Sequence, residues 1–354
     1  MARKILFLLL ITCSSCSSIY RFAIDVQEPA AITLPVSAQN VLILNNTVTQ
    51  PEDYGIERTA NGQSVSSNYP LPMDTFVWYA INDLAGTLNE SKFFNSIAVY
   101  KKPFRTDNEW LSIPGNLFPE LQSSFYDMDD FDALLVIDRL LFSVKENVTN
   151  IKVEAFSSDL NAFLDLRADG IITCSMYTYG KDRPLTTFTI SDSIFSKSMV
   201  YSDSTELFKD IPEFILSDLS RELGYKAAKR FIPSWKTENR VLFTSYNARM
   251  QEATGYAANH QWTTAESIWS AELEKTTKPL DKAKIEFNLA VVNEMQDKLE
   301  PALERAQQAK EHLKNTNQDK NSQEIELVDK YISVLEHRIQ NNRLLDLQWG
   351  KSDL

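Results

Sequence analysis

The apolar and polar positions of the first two thirds of the chain alternate in a way that predicts strands. Residues 160–179 alternate over their whole length, and Asp169-Gly170 within them allows either one long strand with a bulge or a hairpin. The run 133–144 is apolar on both faces at its start, which is typical of a central strand covered on both sides. Shorter runs at 41–44, 97–100 and 186–191 complete a predicted sheet of about five strands.

Two segments between these strands have apolar residues at helical spacing. The first is predicted to run from Asp74, as its N-cap, to about residue 90. The second begins after Pro212 and ends before Pro233. Together with the sheet they predict an α+β domain over residues 38–240 with two main helices. The connections 51–72 and 101–130 are long and rich in Gly, Pro, Ser and Asn, and loops of that length inside a domain are often functional.

After residue 240 the pattern becomes helical and repeats itself. A set of small and aromatic positions recurs 37 residues later. The pairs are Ala253 and Ala290, Tyr256 and Asn293, Trp262 and Leu299, Ala265 and Ala302, and Trp269 and Ala306. This spacing resembles the tetratricopeptide repeat, although the period is longer than that family's; a plain pair of αα-hairpins is the alternative. We predict an all-α repeat domain over 241–342, capped by a helix at 323–341, and a polar tail over 343–354.

The first residues have the pattern of an export signal. Arg3 and Lys4 precede the apolar run 5–11, and small residues lead to Cys16. The run around Cys16 resembles the lipobox of Gram-negative envelope lipoproteins, which implies a diacylglyceryl group on Cys16 and cleavage just before it. We therefore predict a signal peptide over 1–15, lipidation at Cys16 and a membrane tether over 16–37. A cleaved signal without lipid is the alternative.

Charge and cysteine content narrow the classes of partner. The formal net charge is −12, so the chain repels nucleic acid phosphates and we expect no nucleic acid partner. If Cys13 leaves with the signal and Cys16 is alkylated, Cys174 remains alone. Its alternation with Ile172 and Met176 predicts a buried small side chain.

A search for catalytic chemistry yields no candidate, so we do not expect an enzyme, a cofactor or a metal. The three histidines, at 260, 312 and 337, all lie in the helical part, which leaves the α+β domain without the commonest general base. No nucleophile, phosphate-binding or dinucleotide motif is present. The acidic cluster Asp127, Asp129, Asp130 and Asp132 lacks the glycine and distal Glu of a calcium loop and is interpreted as a solvated turn.

Three stretches resemble an uncharacterised family of Bacteroidota envelope lipoproteins in which a helical repeat segment follows an N-terminal domain. They are residues 16–22, 41–46 and 224–235, the last containing Gly224, Pro233 and Trp235. The resemblance implies no activity. With the signal it implies an outer-membrane location, anchored by lipid, which we place on the periplasmic face with surface display as the alternative.

Two functions are compatible with these features. The first is a non-catalytic interaction or assembly scaffold that uses the concave face of the repeats for a protein partner. In the tetratricopeptide register that face comprises Asn247, Met250, Thr254, Lys284, Phe287, Val291 and Glu294. Because two repeats need support, we favour a face covered by the α+β domain over an open groove. The alternative is a glycan- or peptide-binding protein that uses aromatic loops at 51–73 and 101–130, with Tyr69, Phe104 and Trp110 as contacts.

Overall fold

A computed structural model describes residues 19–51, 54–64, 73–100, 102–105, 107–111, 131–151, 161–178, 181, 183–200, 213–244, 247–317 and 319–351. The chain divides into two compact units. The sheet unit comprises Ala30–Pro233 and Gln348–Gly350. The helical unit comprises Met1–Pro29, Ser234–Leu347 and Lys351–Leu354. The sheet-forming and helical parts of the sequence thus correspond to separate units, but residues 19–29 belong with the helices.

The sheet unit is built on a mixed seven-stranded sheet with the order β4-β3-β6-β2-β5, extended by β7 on β6 and β8 on β7. β2 pairs in parallel with β5 and β6, and β3 in parallel with β6, whereas β6, β7 and β8 are antiparallel. The strands are β2 (Asn40–Asn45), β3 (Ile56–Ala60), β4 (Gln63–Ser64), β5 (Ser96–Tyr100), β6 (Ala133–Ile151), β7 (Asn161–Thr178) and β8 (Thr186–Val200).

Helices α1 (Met73–Glu90) and α2 (Glu213–Ala228) cover one face of this sheet and bury its main core. They approach closely at Gly224, where a Cβ atom would meet the Ala80 carbonyl oxygen at 2.1 Å. Gly170 plays the same part between β7 and α2, since a Cβ there would lie 2.8 Å from Leu223. The opposite face carries a smaller apolar cluster of Leu42, Leu44, Leu134, Val136 and Tyr177, against which Phe104 and Phe131 pack.

The helical unit joins a two-stranded antiparallel ribbon to a series of helices. The ribbon pairs β1 (Ile19–Glu28) with β9 (Ser234–Phe243) in full register. The helices are α3 (Ala248–Ala258), α4 (Trp262–Lys275), α5 (Pro279–Met295), α6 (Leu299–Lys314) and α7 (Ser322–Gln348). Their core includes Leu242 and Phe243 of the ribbon together with Trp269, Phe287 and Leu335.

The turns within the two helix pairs share a residue with the same positive φ. His260, between α3 and α4, has φ +59°, and Asp297, between α5 and α6, also has φ +59°. Each follows a C-cap residue, Asn259 and Gln296 respectively. The positions differ by 37 in number, so the periodicity seen in the sequence is matched by a repeated turn.

The structure changes several details of the predicted fold. The sheet has seven strands, so the prediction of about five is wrong. Two of the additional strands, β3 and β4, lie inside the segment 51–72 that was predicted to be a loop. Residues 161–178 form one long strand and not a hairpin. Strand structure continues to Phe243, beyond the residue at which the helical pattern was predicted to begin. Among the described residues, no helix combines the length and apolar character that crossing a bilayer requires.

Candidate functional site

The predicted concave face of the repeats is occupied by the helical unit itself. Met250, Thr254, Lys284, Phe287, Val291 and Glu294 are all buried. The Phe287 ring lies 5.1 Å from that of Phe243 in β9 and 4.9 Å from that of Tyr331 in α7. Asn247 is the N-cap of α3, where its side chain accepts a hydrogen bond from the Met250 amide at 2.8 Å. The ribbon and α7 therefore cover Phe287, and the six buried side chains are enclosed within the helical unit, whereas Asn247 is half-buried.

Glu294 is held in this core by three side chains. Arg240 donates to both carboxylate oxygens, from Nε to Oε2 at 2.8 Å and from Nη2 to Oε1 at 2.8 Å. Tyr331 Oη and Arg338 Nη1 add hydrogen bonds of 2.7 and 2.6 Å. Burial raises the pKa of Glu294, but the hydrogen bonds and charge of Arg240 outweigh burial and keep that pKa below its usual value. The network joins β9, α5 and α7, and its role is to stabilise the helical unit.

The sheet unit brings polar groups together at a bulge in β6. The register with β7 shifts between Ile137, which opposes Cys174, and Arg139, which opposes Thr173. Asp138 is the extra residue, and its carboxylate contacts Ser175 on the face opposite the helices. Such bulges re-aim side chains and occur often beside active sites.

Asp138 is part of a hydrogen-bonded row that crosses four strands. Asn46, directly after β2, donates from Nδ2 to Asp138 Oδ1 at 3.2 Å, and Ser175 of β7 donates from Oγ to Oδ2 at 2.6 Å. The Ser175 hydroxyl also bonds Thr187 of β8 at 2.8 Å. Burial raises the pKa of Asp138 above its usual value, although the bonds from Ser175 and Asn46 oppose that shift. Burial, with the Asp138 charge, raises the pKa of Tyr177 to about 12.

The segment after β5 lies against this row. The Phe104 amide donates to the Asn45 carbonyl at 2.8 Å, which ties the segment to the end of β2. Arg139 donates from Nη2 to the Leu111 carbonyl. Arg105 forms a paired contact with Asp107, from Nε at 2.8 Å and from Nη2 at 2.5 Å, and donates to the Glu109 carbonyl at 3.0 Å. These bonds hold residues 104–105 and 107–111 together beside the bulge.

One aromatic side chain from each of the two long connections meets at the same place. The rings of Tyr54 and Trp110 lie 4.3 Å apart, tilted by 60°. Tyr54 is 45% exposed, and Trp110 is partly exposed. The Gln50 side chain anchors the first connection by donating to the Tyr54 and Phe142 carbonyls at 3.0 and 3.2 Å and accepting from the Phe142 amide at 2.8 Å. The result is an accessible aromatic pair on a fixed base.

Two buried polar atoms beside Asp138 have no hydrogen-bond partner among the residues that the structure describes. One is the acceptor Oδ1 of Asn46, a residue with 0% exposure, and the other is the donor Nε of Arg139. Buried polar groups are normally satisfied, and unpaired ones are costly. We define the bulge site as Asn46, Tyr54, Arg105, Trp110, Asp138 and Arg139.

The sequence identified only part of this site. Trp110 lies in it, whereas Phe104 packs on the apolar cluster behind it and Tyr69 lies outside the described residues. The predicted lipidation residue, Cys16, and the acidic residues Asp127, Asp129 and Asp130 also lie outside them. Asp132 accepts hydrogen bonds from the backbone and side chain of Asn40 at 3.0 and 2.8 Å. Cys174 is buried, and burial raises the pKa of its thiol well above the usual value. Within the described residues, no group of three or more potential metal ligands occurs.

Two models of known protein families match the chain. It belongs to the family described as Domain of unknown function (DUF8603), whose model matches residues 38–243, more than half of the chain. A second model, Domain of unknown function (DUF6340), matches residues 251–337. Neither description refers to an activity, a compartment or a lipid anchor. No curated protein sequence matches the chain.

Two solved structures are weakly similar to this chain. A neuraminyllactose-binding hemagglutinin homolog from Helicobacter pylori matches with a TM-score of 0.25 and 10% identity over 55% of this chain and 83% of that chain. A Xanthomonas campestris protein of the family DUF330 matches with a TM-score of 0.23 and 9% identity over 57% of this chain and 85% of that chain. At such TM-scores neither likeness bears on function.

Proposed function

We propose that this protein is a non-catalytic ligand-binding protein of the cell envelope, which holds a glycan or a peptide at the bulge site. The observation that carries this proposal is the contact between Tyr54 and Trp110, at 4.3 Å, from the two connections that were predicted to bind ligand. Aromatic side chains supply large contact areas and retain a polar edge, which suits recognition surfaces. The bond from Arg139 to the carbonyl of Leu111, the neighbour of Trp110, ties this pair to the bulge and distinguishes it from isolated surface aromatics.

The position of the site in the sheet supports the same function. Ligands of open α/β sheets bind outside the carboxyl ends of parallel strands, where successive connections leave in opposite directions. β2 and β5 both end here. The connection from β2 to β5 includes α1, which packs on one face, whereas Phe104 and Phe131, near the ends of the connection from β5 to β6, pack on the other. Asn46 and the loop 104–111 thus lie at a switch point.

Binding at this site can be tested with the mature chain on glycan and peptide arrays. We expect a ligand whose signal is lost in Trp110→Ala and reduced in Tyr54→Ala. Trp235→Ala is the control, because Trp235 is 70% exposed but lies in β9 of the helical unit. Ligands that bind Trp110→Ala as well as the wild type would refute the proposal.

The proposal also includes a lipid anchor at Cys16. The signal pattern before Cys16 supports lipid attachment at the outer membrane, with the periplasmic face favoured over surface display. Cys16→Ala should abolish incorporation of a fatty-acid analogue and release the protein from membranes. Labelling that persists in Cys16→Ala would contradict this assignment, and protease treatment of whole cells would distinguish the two faces of the membrane.

A scaffold function of the helical unit is the second candidate. The repeated turn at His260 and Asp297 supports a tetratricopeptide-like arrangement of α3–α6. Because the predicted concave residues are buried, a protein partner would have to contact the outer helical surfaces, where Arg249 and Lys310 have side chains 60% and 46% exposed. A photo-crosslinker at either position should yield one discrete adduct in intact cells, and its absence at both would count against a scaffold.

A further inference from the structure

We propose that the aromatic row Tyr20, Phe22, Trp262 and His260 lies in the headgroup layer of the membrane and holds the helical unit against the bilayer surface. This inference rests on the lipid anchor included in the proposed function and adds an orientation to it.

The aromatic row connects the start of the ribbon to the start of α4. The rings of Tyr20 and Phe22 are stacked with their centroids 6.0 Å apart, and the Phe22 ring lies 5.6 Å from that of Trp262. The Trp262 ring lies 6.4 Å from that of His260. The first three side chains pack against the core of the helical unit but are only half-buried, and His260 is exposed. Part of each ring therefore remains available for contact along the β1 side of the ribbon.

The chain between the predicted anchor and the folded unit is short. Residues 19–28 of the predicted tether form β1, so only the link from Cys16 to Ile19 separates the anchor from the ribbon. Three residues of fully extended chain span at most about 11 Å. The headgroup layer on one side of a bilayer is roughly 5–8 Å thick. The glyceryl group on a lipidated Cys16 lies at the base of that layer, so Ile19 lies within it or a few Å beyond it.

The start of β1 is fixed to the helical unit. Ile19 pairs with Phe243 and Tyr20 pairs with Leu242, and both Phe243 and Leu242 are buried in the helical core. Ile19 and Tyr20 also pack against that core. A short link to such a strand holds the whole helical unit close to the bilayer, and the aromatic row begins at the residue next to Ile19.

The chemistry of the aromatic row suits the headgroup layer. Tyrosine and tryptophan collect at membrane–water interfaces because their rings are apolar while their O–H and N–H groups remain hydrogen-bonded to water or headgroups. The whole chain carries −12, so attraction to anionic lipids does not hold it at the surface. The contact that we propose is therefore apolar, and neutral lipids suffice for it.

Trp235 provides a matched control within the same unit. It pairs with Gln27 at the opposite end of the ribbon, and a ten-residue strand is about 30 Å long. Its side chain also lies on the other face of the ribbon from Tyr20 and Phe22, because alternate residues of a strand point to opposite faces. Trp235 is 70% exposed, so we expect water and not lipid around it.

The test is tryptophan fluorescence of the lipidated chain in phosphatidylcholine vesicles that contain nitroxide-labelled lipids as quenchers. We expect nitroxides near the glycerol end of the acyl chain to quench more strongly than nitroxides near the methyl end. This quenching should be lost in Trp262→Phe and kept in Trp235→Phe. Both variants retain an aromatic ring, which preserves the packing.

Each outcome decides one question. If a fatty-acid analogue labels Cys16 but the wild type is not quenched, or Trp262→Phe is quenched equally, the anchor stands and the aromatic row is not at the membrane. A second copy of the chain or a peptide on the aromatic row would give that result. If Cys16 carries no lipid, the anchor and this inference both fail, whereas ligand binding at the bulge site is tested separately.

A second measurement applies if Trp262→Phe fails to fold, judged by its thermal melt. A fluorophore on Gln261→Cys, an exposed position within the aromatic row, should then be quenched by the same lipids. The same fluorophore on Trp235→Cys should not be quenched. Cys174 is buried and Cys16 is alkylated in the lipidated chain, so the label is confined to the introduced cysteine. Equal quenching at the two positions would overturn the inference.

Discussion

Replacing Phe287 with alanine should strongly destabilise the helical unit. The side chain is 1% exposed, and its ring contacts Phe243 of β9 and Tyr331 of α7. Truncating a buried Phe to Ala costs about 3–5 kcal/mol of the free energy of unfolding. Both aromatic contacts, of a kind worth ~0.5–1.5 kcal/mol beyond burial, are lost with the ring, which places the cost in the upper part of that range. Because the two contacts come from different elements, the cavity cannot close by moving one of them. We expect about 4–5 kcal/mol.

The measurement is the thermal and urea unfolding of the mature chain, followed by far-UV circular dichroism. For a unit of this size a loss of 1 kcal/mol lowers the melting temperature by roughly 2–4 °C, so the transition of the helical unit should fall by roughly 8–20 °C. Phe214→Ala is the control, because Phe214 is 64% exposed. An unchanged melt for Phe287→Ala would mean that Phe287 faces an open groove, and it would refute the packing described for the ribbon and α7.

Five further substitutions test the electrostatic and backbone features. Glu294→Gln should cost about 3–5 kcal/mol, because it leaves the buried Arg240 and the half-buried Arg338 without their carboxylate. The pKa of Glu294 is below its usual 4.5, so the stability that its ionised carboxylate contributes is present above pH 4.5 and is lost as the pH falls through the folded-state pKa. Urea unfolding at a series of pH values measures this loss. The pKa of Asp138 is raised above 3.8, so the wild type loses stability as the pH rises above 3.8. The stability of Asp138→Asn relative to the wild type should therefore increase as the pH rises above 3.8. A difference in unfolding free energy that does not change with pH would contradict the burial of the Asp138 charge. His260→Gly and Asp297→Gly, both at φ +59°, should each raise stability by about 0.5–1 kcal/mol, whereas His312→Gly inside α6 should lower it.

The regular elements of the sheet could be predicted because their side chains alternate strongly. β7 was found over nearly its full length, since Leu166, Ala168, Ile172, Cys174 and Met176 all face the main core. The β3–β4 hairpin was missed although Asn61-Gly62, both with positive φ, is the typical signal for a two-residue turn. Its strands are too short for alternation to stand out.

The ribbon could not be predicted because its order depends on a distant partner. β9 begins Ser-Trp-Lys-Thr-Glu-Asn-Arg and has no apolar face over most of its length. Its pairing with β1 joins Ile19 to Phe243 and Glu28 to Ser234. No local signal connects segments so far apart. For the same reason the sequence suggested Trp110 as a ligand contact but could not place Tyr54, Asn46 or Asp138 beside it.

The bulge at Asp138 connects the core of the sheet to its candidate site. Up to the bulge, the odd-numbered residues of β6, Leu135 and Ile137, face the helices; after it, the even-numbered Leu140 and Phe142 do so. A regular strand of the same sequence, without the bulge, would turn its second half over and place Leu140 and Phe142 on the opposite face. The same insertion leaves Asp138 and Arg139 together on the face away from the helices, beside Asn46. The change of phase in the apolar pattern is therefore a local feature of the sequence that marks the bulge, because burial of the β6 core on both sides of it requires one extra residue at this point.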